Sequence, residues 1–149
     1  MNKAAVIGGG SWGSAIAILL ANNGYQVSLR DISEKQIGEI NEQRTNSNYL
    51  PEIEIPEAIT ATTDLKEAVK DAKLVAIVVP SNAIRKVAEE LSGLLADDTV
   101  VVSATKGIEE DSCYRMAEVL EDELRSGLHD NIAVLSGPSH AEEVSKELP

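Results

Sequence analysis

Short apolar runs rich in β-branched residues recur along the chain, separated by polar stretches in which apolar positions return at helical spacing. The runs are "AAVIG" at 4–8, "QVSLR" at 26–30, "LVAIVV" at 74–79, "TVVVSA" at 99–104 and "IAVLSG" at 132–137. Runs of this kind predict buried strands. Between them, Ala15, Leu19 and Leu20 form one helical stripe, Ile84, Val87, Ala88 and Leu91 a second, and Met116, Val119, Leu120 and Leu124 a third. Strand and helix alternate. That pattern predicts the doubly wound α/β class, a mainly parallel sheet covered by crossover helices, with a weaker strand at "ITATT". Helix starts are marked by Asp64 with Glu67 three residues on, and by Ser81 or Asn82.

Residues 44–59, "RTNSNYLPEIEIPEAI", follow neither period. Their polar start and two prolines predict an excursion between the second strand and the next. The chain closes with "SGPSHAEEVSKELP", which stops a few residues into a helical pattern after the last strand, so it reads as a fragment.

At 149 residues, with 43% hydrophobic and 26% charged residues, one domain with a real core is expected. The balance of 13 basic against 25 acidic side chains, a net charge of −12, argues against nucleic-acid binding and against a surface drawn to anionic lipid. An anionic small ligand then needs a local site. The single cysteine, Cys113, forms no internal disulfide and no leader pattern opens the chain, so a cytoplasmic location is expected. The longest apolar run, "LVAIVVP", is far short of the roughly 20 residues that cross a bilayer.

Gly8, Gly10 and Gly13 make G-x-G-x-x-G directly after the first strand, at the mouth of a helix beginning near Ser11. In that context the first glycine permits a tight turn, the second lets a pyrophosphate touch the backbone, and the third lets helix and strand pack closely. Exposed N–H groups and the positive end of the helix dipole hold phosphates without a lysine, so an acidic protein can bind an anionic dinucleotide. The alternative is a glycine-rich turn with no ligand. Asp31, 18 residues after Gly13, stands near the spacing of about 20 at which an acid takes the ribose hydroxyls. A carboxylate there favours NAD over NADP, although the adjoining Arg30 can face a 2′-phosphate; the alternative is a solvated Asp opening a turn. Lys106 follows the fifth strand, where ligands gather outside the carboxyl ends of a parallel sheet, and is otherwise a solvated lysine.

With "GGGSWGSAIA", "NYLPEI", "VVPSNAIRKV", "ATKGIE" and "LSGPSHAEEV" in this order, the chain resembles the bacterial-type NAD(P)-dependent glycerol-3-phosphate dehydrogenases from end to end. The resemblance implies a Rossmann-like domain and hydride transfer between a nicotinamide and C2 of dihydroxyacetone phosphate, giving sn-glycerol 3-phosphate for phospholipid synthesis. It implies that Ser11 and Trp12 contact the cofactor, that Tyr49 lies near it and that Pro80 passes its adenine side. Trp12 alternatively packs on a neighbouring domain, and Tyr49 is equally a loop anchor. Lys106 is implied against both substrate and cofactor, Gly137 and Ser139 at the substrate, and Ala141 near the cofactor. Ser136 or Ser139 is also a candidate helix cap. His140, at a position where the family carries an aromatic residue or histidine, is read as packing. Cys113 and His129 lack partners at metal-ligand spacing, so no metal is expected.

The sequence departs from the family pattern at the second strand's end, where Arg30 replaces a tryptophan and Ile32 stands where a His or Arg often meets the NADP phosphate. NAD is therefore the preferred cofactor, with NADP second. The resemblance also implies an all-helical second domain that supplies another lysine as general acid and base; no residue up to Pro149 corresponds to it. The chain, 1–149, reads as the isolated cofactor domain, truncated before the helical substrate domain. The apolar surface this uncovers predicts self-association, with a homodimer as its simplest form. The rival readings are a non-catalytic nucleotide-binding or redox-sensing module and a related dehydrogenase with another small substrate. "TKGIE" and "SGPS" speak against the first, because cofactor binding alone needs no lysine and hydroxyl at the nicotinamide end.

Overall fold

The computed structural model describes residues 2–146. Six strands, β1 (Lys3–Ile7), β2 (Gln26–Arg30), β3 (Ile59–Thr62), β4 (Leu74–Ile77), β5 (Val100–Ser103) and β6 (Ile132–Val134), form one sheet in the order β3-β2-β1-β4-β5-β6. Every pairing is parallel. Successive side chains of a strand face opposite ways, so an unbroken apolar run feeds two cores at once. On β1, Ala5 and Ile7 enter one core and Val6 the other; on β4, Val75 and Ile77 oppose Ala76 in the same manner.

The first core is closed by α3 (Leu65–Val69), α4 (Ile84–Leu91) and α5 (Met116–Glu123), the last two presenting the apolar stripes that their sequence spacing predicts. The second is closed by α1 (Ser11–Asn22) with α6 (Ala141–Ser145) packed against it. The excursion joins this second core rather than looping free. Leu50 and Ile55 are fully buried there beside Ile40, and Asn46 is buried with them. Its lack of periodicity thus reflects a few irregularly spaced anchors, Asn46, Leu50 and Ile55, between exposed residues.

Several elements differ from the sequence expectations for identifiable reasons. The ladders of β4, β5 and β6 stop at Ile77, Ser103 and Val134, and the apolar residues that follow belong to loops at the carboxyl edge. A short α2 (Glu34–Gly38), capped by Ser33, runs into a π-helical turn at Glu39–Gln43 that no sequence pattern announced. "ITATT" does form β3, as an edge strand. Its missing neighbour is replaced by side chains: Asn41 both donates to and accepts from the Ala61 backbone at 2.9 and 2.8 Å, and Arg44 donates to Ile59 O at 2.8 Å.

Asp64 caps α3 as expected, accepting from Lys66 N and Glu67 N at 2.8 and 3.1 Å. Ser81 does not cap a helix, nor does Asn82; they open a 3₁₀ turn, Ser81–Ala83, and α4 begins at Ile84 without a side-chain cap. Ser136 and Ser139 do not cap α6 either. His140 holds that N-cap position and is exposed, which replaces the packing role expected for it. The last part of the helical pattern, Glu147 to Pro149, lies outside the described residues. Among the described residues, no helix is long and apolar enough to cross a membrane.

Candidate functional site

The sheet order reverses direction between β1 and β4, and a cleft of about 910 Å³ opens beyond their carboxyl ends. Such a switch point is where open parallel sheets take their ligands. The glycine loop forms its floor, and the three motif glycines play different parts. A Cβ on Gly13 would stand 1.8 Å from Gly8 O, and one on Gly8, whose φ is +114°, would stand 2.2 Å from Val78 O. Both sites exclude any side chain. At Gly10 an added Cβ meets nothing within 4 Å, because that position faces the open cleft.

Gly10 is also the N-cap of α1, with no side-chain cap and no acid in the first turn. The first N–H groups of the helix therefore lack the partner that Ser33 gives α2 and Asp64 gives α3. Open space, unpaired donors and the positive helix end coincide, which is the chemistry that receives a phosphate.

Gly9, at the first variable position of the motif, is the most tightly held residue of the loop. Its N–H donates to Asp31 Oδ2 at 2.7 Å, and its carbonyl accepts from Gln36 Nε2, from Asn46 Nδ2 at 2.9 Å and from Ser14 Oγ at 3.2 Å. Asp31 Oδ1 accepts a further bond, from Ser33 N at 3.1 Å. Asp31 is therefore a brace of the glycine loop as well as a wall of the cleft. The spacing from Gly13 marked the residue, but nothing in the sequence marked its partner. Ser11 Oγ donates to Tyr49 O at 2.7 Å, so the excursion is tied to the loop it shields.

The cleft gathers Gly8, Gly10, Ser11, Trp12, Gly13, Asp31, Tyr49, Pro80, Lys106, Ser139 and Ala141 along one wall system. Gly137 is not among the lining residues; it stands just outside, where a Cβ would lie 3.8 Å from Ser139 Oγ. Trp12 both lines the cleft and packs against the second core. Sequence reasoning missed Gln36, Thr105 and Lys35, which also line the cleft, and the second of these is legible only as the neighbour of Lys106. Lys106 is exposed, and it makes no hydrogen bond or ion pair with any described residue.

The loop after Lys106 is anchored by charge. Arg85 of α4 clasps Glu109 through two bonds, Nε to Oε1 at 2.8 Å and Nη2 to Oε2 at 2.7 Å, and reaches Asp122 at 2.7 Å and Glu123 on α5. Ser112 Oγ adds a bond to Glu109 Oε2 at 2.6 Å. The Arg85 guanidinium, followed by the Ser112 hydroxyl, holds the Glu109 carboxyl down at about 2, well below its ordinary value.

Residues 3–149 match the family described as NAD-dependent glycerol-3-phosphate dehydrogenase N-terminus. The chain belongs to that family. A glycerol-3-phosphate dehydrogenase (NAD(P)+) of Listeria monocytogenes serotype 4b is 44% identical over 147 residues, 99% of this chain and 44% of the relative. One from an Exiguobacterium species is 46% identical over 149 residues, 100% of this chain and again 44% of the relative. The crystal structure of glycerol-3-phosphate dehydrogenase from Coxiella burnetii matches with a TM-score of 0.88 at 33% identity, covering 99% of this chain and 44% of that one. The chain thus spans less than half the length of the glycerol-3-phosphate dehydrogenases it matches. Over that span the sheet order, the glycine loop and the cleft are those of a dinucleotide-binding domain.

Proposed function

We propose that the chain holds NAD(H), with NADP(H) as the weaker alternative, and forms the cofactor half of a dehydrogenase that interconverts dihydroxyacetone phosphate and sn-glycerol 3-phosphate. One observation carries the reading: the uncapped start of α1 and the open space at Gly10 face the same cleft as Lys106 and Ser139. The residues fit a dinucleotide. The α1 N–H groups would receive the pyrophosphate, Asp31 the ribose hydroxyls, and Trp12, Val78, Val79 and Pro80 supply apolar walls.

The cofactor supplies the hydride that the ketone carbon accepts. Lys106 stands where its ammonium would stabilise the negative charge growing on the carbonyl oxygen, and Ser139 offers a hydroxyl for orienting the substrate. Gly137, two residues before Ser139, would meet the substrate through its backbone. The excursion, with Tyr49 at its tip, shields the glycine loop from solvent.

The cleft supports this reading over a non-catalytic nucleotide-binding module, because a lysine and a hydroxyl, Lys106 and Ser139, line it together with the glycine loop. In the cell the reaction would serve phospholipid head-group synthesis in the cytoplasm. A homodimer is proposed through the β6 edge, where Val134 and Leu135 are exposed. Calorimetric titration with NADH and with NADPH tests the central claim. Binding of NADH that is lost in Gly10→Ala supports it, and absence of NADH binding overturns it.

A further inference from the structure

Lys106 lies on a short exposed span with an anchor at each end. On the strand side, Ala104 N donates to Ile77 O at 2.9 Å and Thr105 Oγ1 donates to the same carbonyl at 3.3 Å, fixing the chain to β4. On the far side, Glu109 is held by the two parallel bonds from Arg85. Beyond Glu109 the chain closes into a tight loop: Glu109 N donates to Tyr114 O and Cys113 N to Glu109 O, both at 2.9 Å, while Ile108 and Arg115 form an antiparallel bridge. Gly107, at φ +111°, is the one soft joint between the anchors, and it packs over Ser81 at the head of the β4–α4 connection.

Arg85 stands in the first turn of α4, whose approach carries Pro80 and Ala83 into the cleft wall. The same guanidinium therefore ties the wall beside the cofactor to the loop that bears the lysine. A planar fork meeting a carboxylate in two parallel bonds fixes direction as well as distance, which a single bond on a flexible stem does not.

We propose that Glu109, clasped by Arg85, is a positioning residue that sets where Lys106 stands in the cleft. The proposal rests on the reading that Lys106 reaches the bound cofactor. Without the clasp, the far end of the span from Lys106 to Ile108 is tied only to its own loop, through the Ile108–Arg115 bridge and the Glu109–Tyr114 bond, and no longer to α4 and the cleft wall, so the ammonium divides its time among positions that miss the ligand. Binding then weakens by the fraction of time lost. The partly buried Glu109 side chain, 15% exposed against 33% for Arg85, shows that the clasp is a packed contact rather than a loose surface pair. The Arg85 guanidinium holds the Glu109 carboxyl well below its ordinary value, so it is ionised and available to the clasp at neutral pH.

The test is a double-mutant cycle on this chain, read by NADH affinity in calorimetry with thermal melts as the control for folding. Lys106→Ala is expected to weaken NADH about tenfold, the scale of one lost charge-assisted hydrogen bond. Glu109→Gln is expected to weaken it roughly threefold to fivefold, and the double variant to bind no worse than Lys106→Ala alone, as coupled residues do. Arg85→Lys, which keeps the charge but not the two parallel bonds, should reproduce the Glu109→Gln loss and lose its effect in the same way when Lys106 is absent. Losses that add in the double variants, or a Glu109→Gln chain that binds NADH as the parent does, overturn the positioning role while leaving that of Lys106 intact. If Lys106→Ala itself binds NADH like the parent, the role of Lys106 falls and the proposal falls with it.

Discussion

At the glycine loop, four side chains from four separate segments converge on Gly9, whereas at the other end of the cleft Lys106 meets no partner among the described residues. The first arrangement suits the proposed use of the backbone itself as the binding surface. Asp31, Gln36, Asn46 and Ser14 hold Gly9 so that Gly10 and the start of α1 are fixed before a ligand arrives, and little ordering remains for binding to accomplish. The second arrangement leaves a charged side chain free and fixes only the loop beneath it, through Arg85 and Glu109. The contrast teaches that holding a cofactor needs rigid main chain, while acting on a substrate needs a charge that is not already neutralised.

The largest expected effect sharpens that contrast. This chain of 149 residues is expected to bind NADH yet show no measurable oxidation of it by dihydroxyacetone phosphate, because the general acid that the family resemblance implies is not matched by any residue of this span. A positioned acid contributes about 10²- to 10⁴-fold, and the matching relatives are more than twice as long. Stopped-flow absorbance of NADH is the measurement; substantial turnover, abolished in Lys106→Ala, would make Lys106 the proton donor.

Within the glycine loop, Gly13→Ala and Gly10→Ala should break in opposite ways. The methyl at Gly13 collides with Gly8 O, so about 3 kcal/mol of stability, roughly 10 °C in Tm, should be lost. The methyl at Gly10 meets open space, so circular dichroism should show an unchanged fold while NADH affinity drops about 10- to 100-fold. Equal melting and equal affinity for the two variants would dissolve the distinction between packing and ligand glycines.

A smaller effect separates the two duties of Asp31. The parent is expected to bind NADH more tightly than NADPH. Asp31→Asn keeps an acceptor for Gly9 N but removes the charge, so the gap between the two cofactors should shrink several-fold with little change in melting. Asp31→Gly removes the brace as well and should cost stability in addition. Equal affinities in the parent would dismiss Asp31 as the selector.

The smallest effect concerns pH. Glu109 is depressed in the fold from an ordinary 4.5 to about 2, so its contribution to stability is complete above about pH 4.5 and is lost as the pH falls toward 2. Thermal melts between pH 5 and 2 should therefore fall more steeply for the parent than for Glu109→Gln, and the two should converge at the acid end. Parallel curves would mean that the clasp adds nothing to the fold.

The elements of the sheet were legible because β1, β4, β5 and β6 carry short apolar runs, while β2 alternates Val27 and Leu29 with polar residues as a half-buried strand does. β3 was the faint one because an edge strand buries less, and its hydrogen bonds are completed by Asn41 and Arg44, residues whose types say nothing of that task. The candidate site was legible where the backbone needs glycine, since Gly8 and Gly13 have no alternative. It was not legible at Gln36, which lies 27 residues from the Gly9 carbonyl that it holds, or at Arg85, 24 residues from Glu109. Such pairs are chosen by the fold, and any polar residue at those positions looks like surface.

By itself, then, the sequence determined the order of strands and helices, the glycine turn at the end of β1 and the residue types that line the cleft. These follow from local rules: apolar periodicity, the conformational freedom of glycine and the placement of loops at strand ends. Only the tertiary structure decided that Gly9 would be the braced residue, that Asp31 would hold the loop as well as line the cleft, that Asn46, Leu50 and Ile55 of the excursion would be buried, and that Lys106 would stand free above a clasped loop. Each depends on which distant segments the parallel crossovers bring side by side, and a hydrogen bond between residues far apart in the chain leaves no periodic trace in the sequence that encodes it.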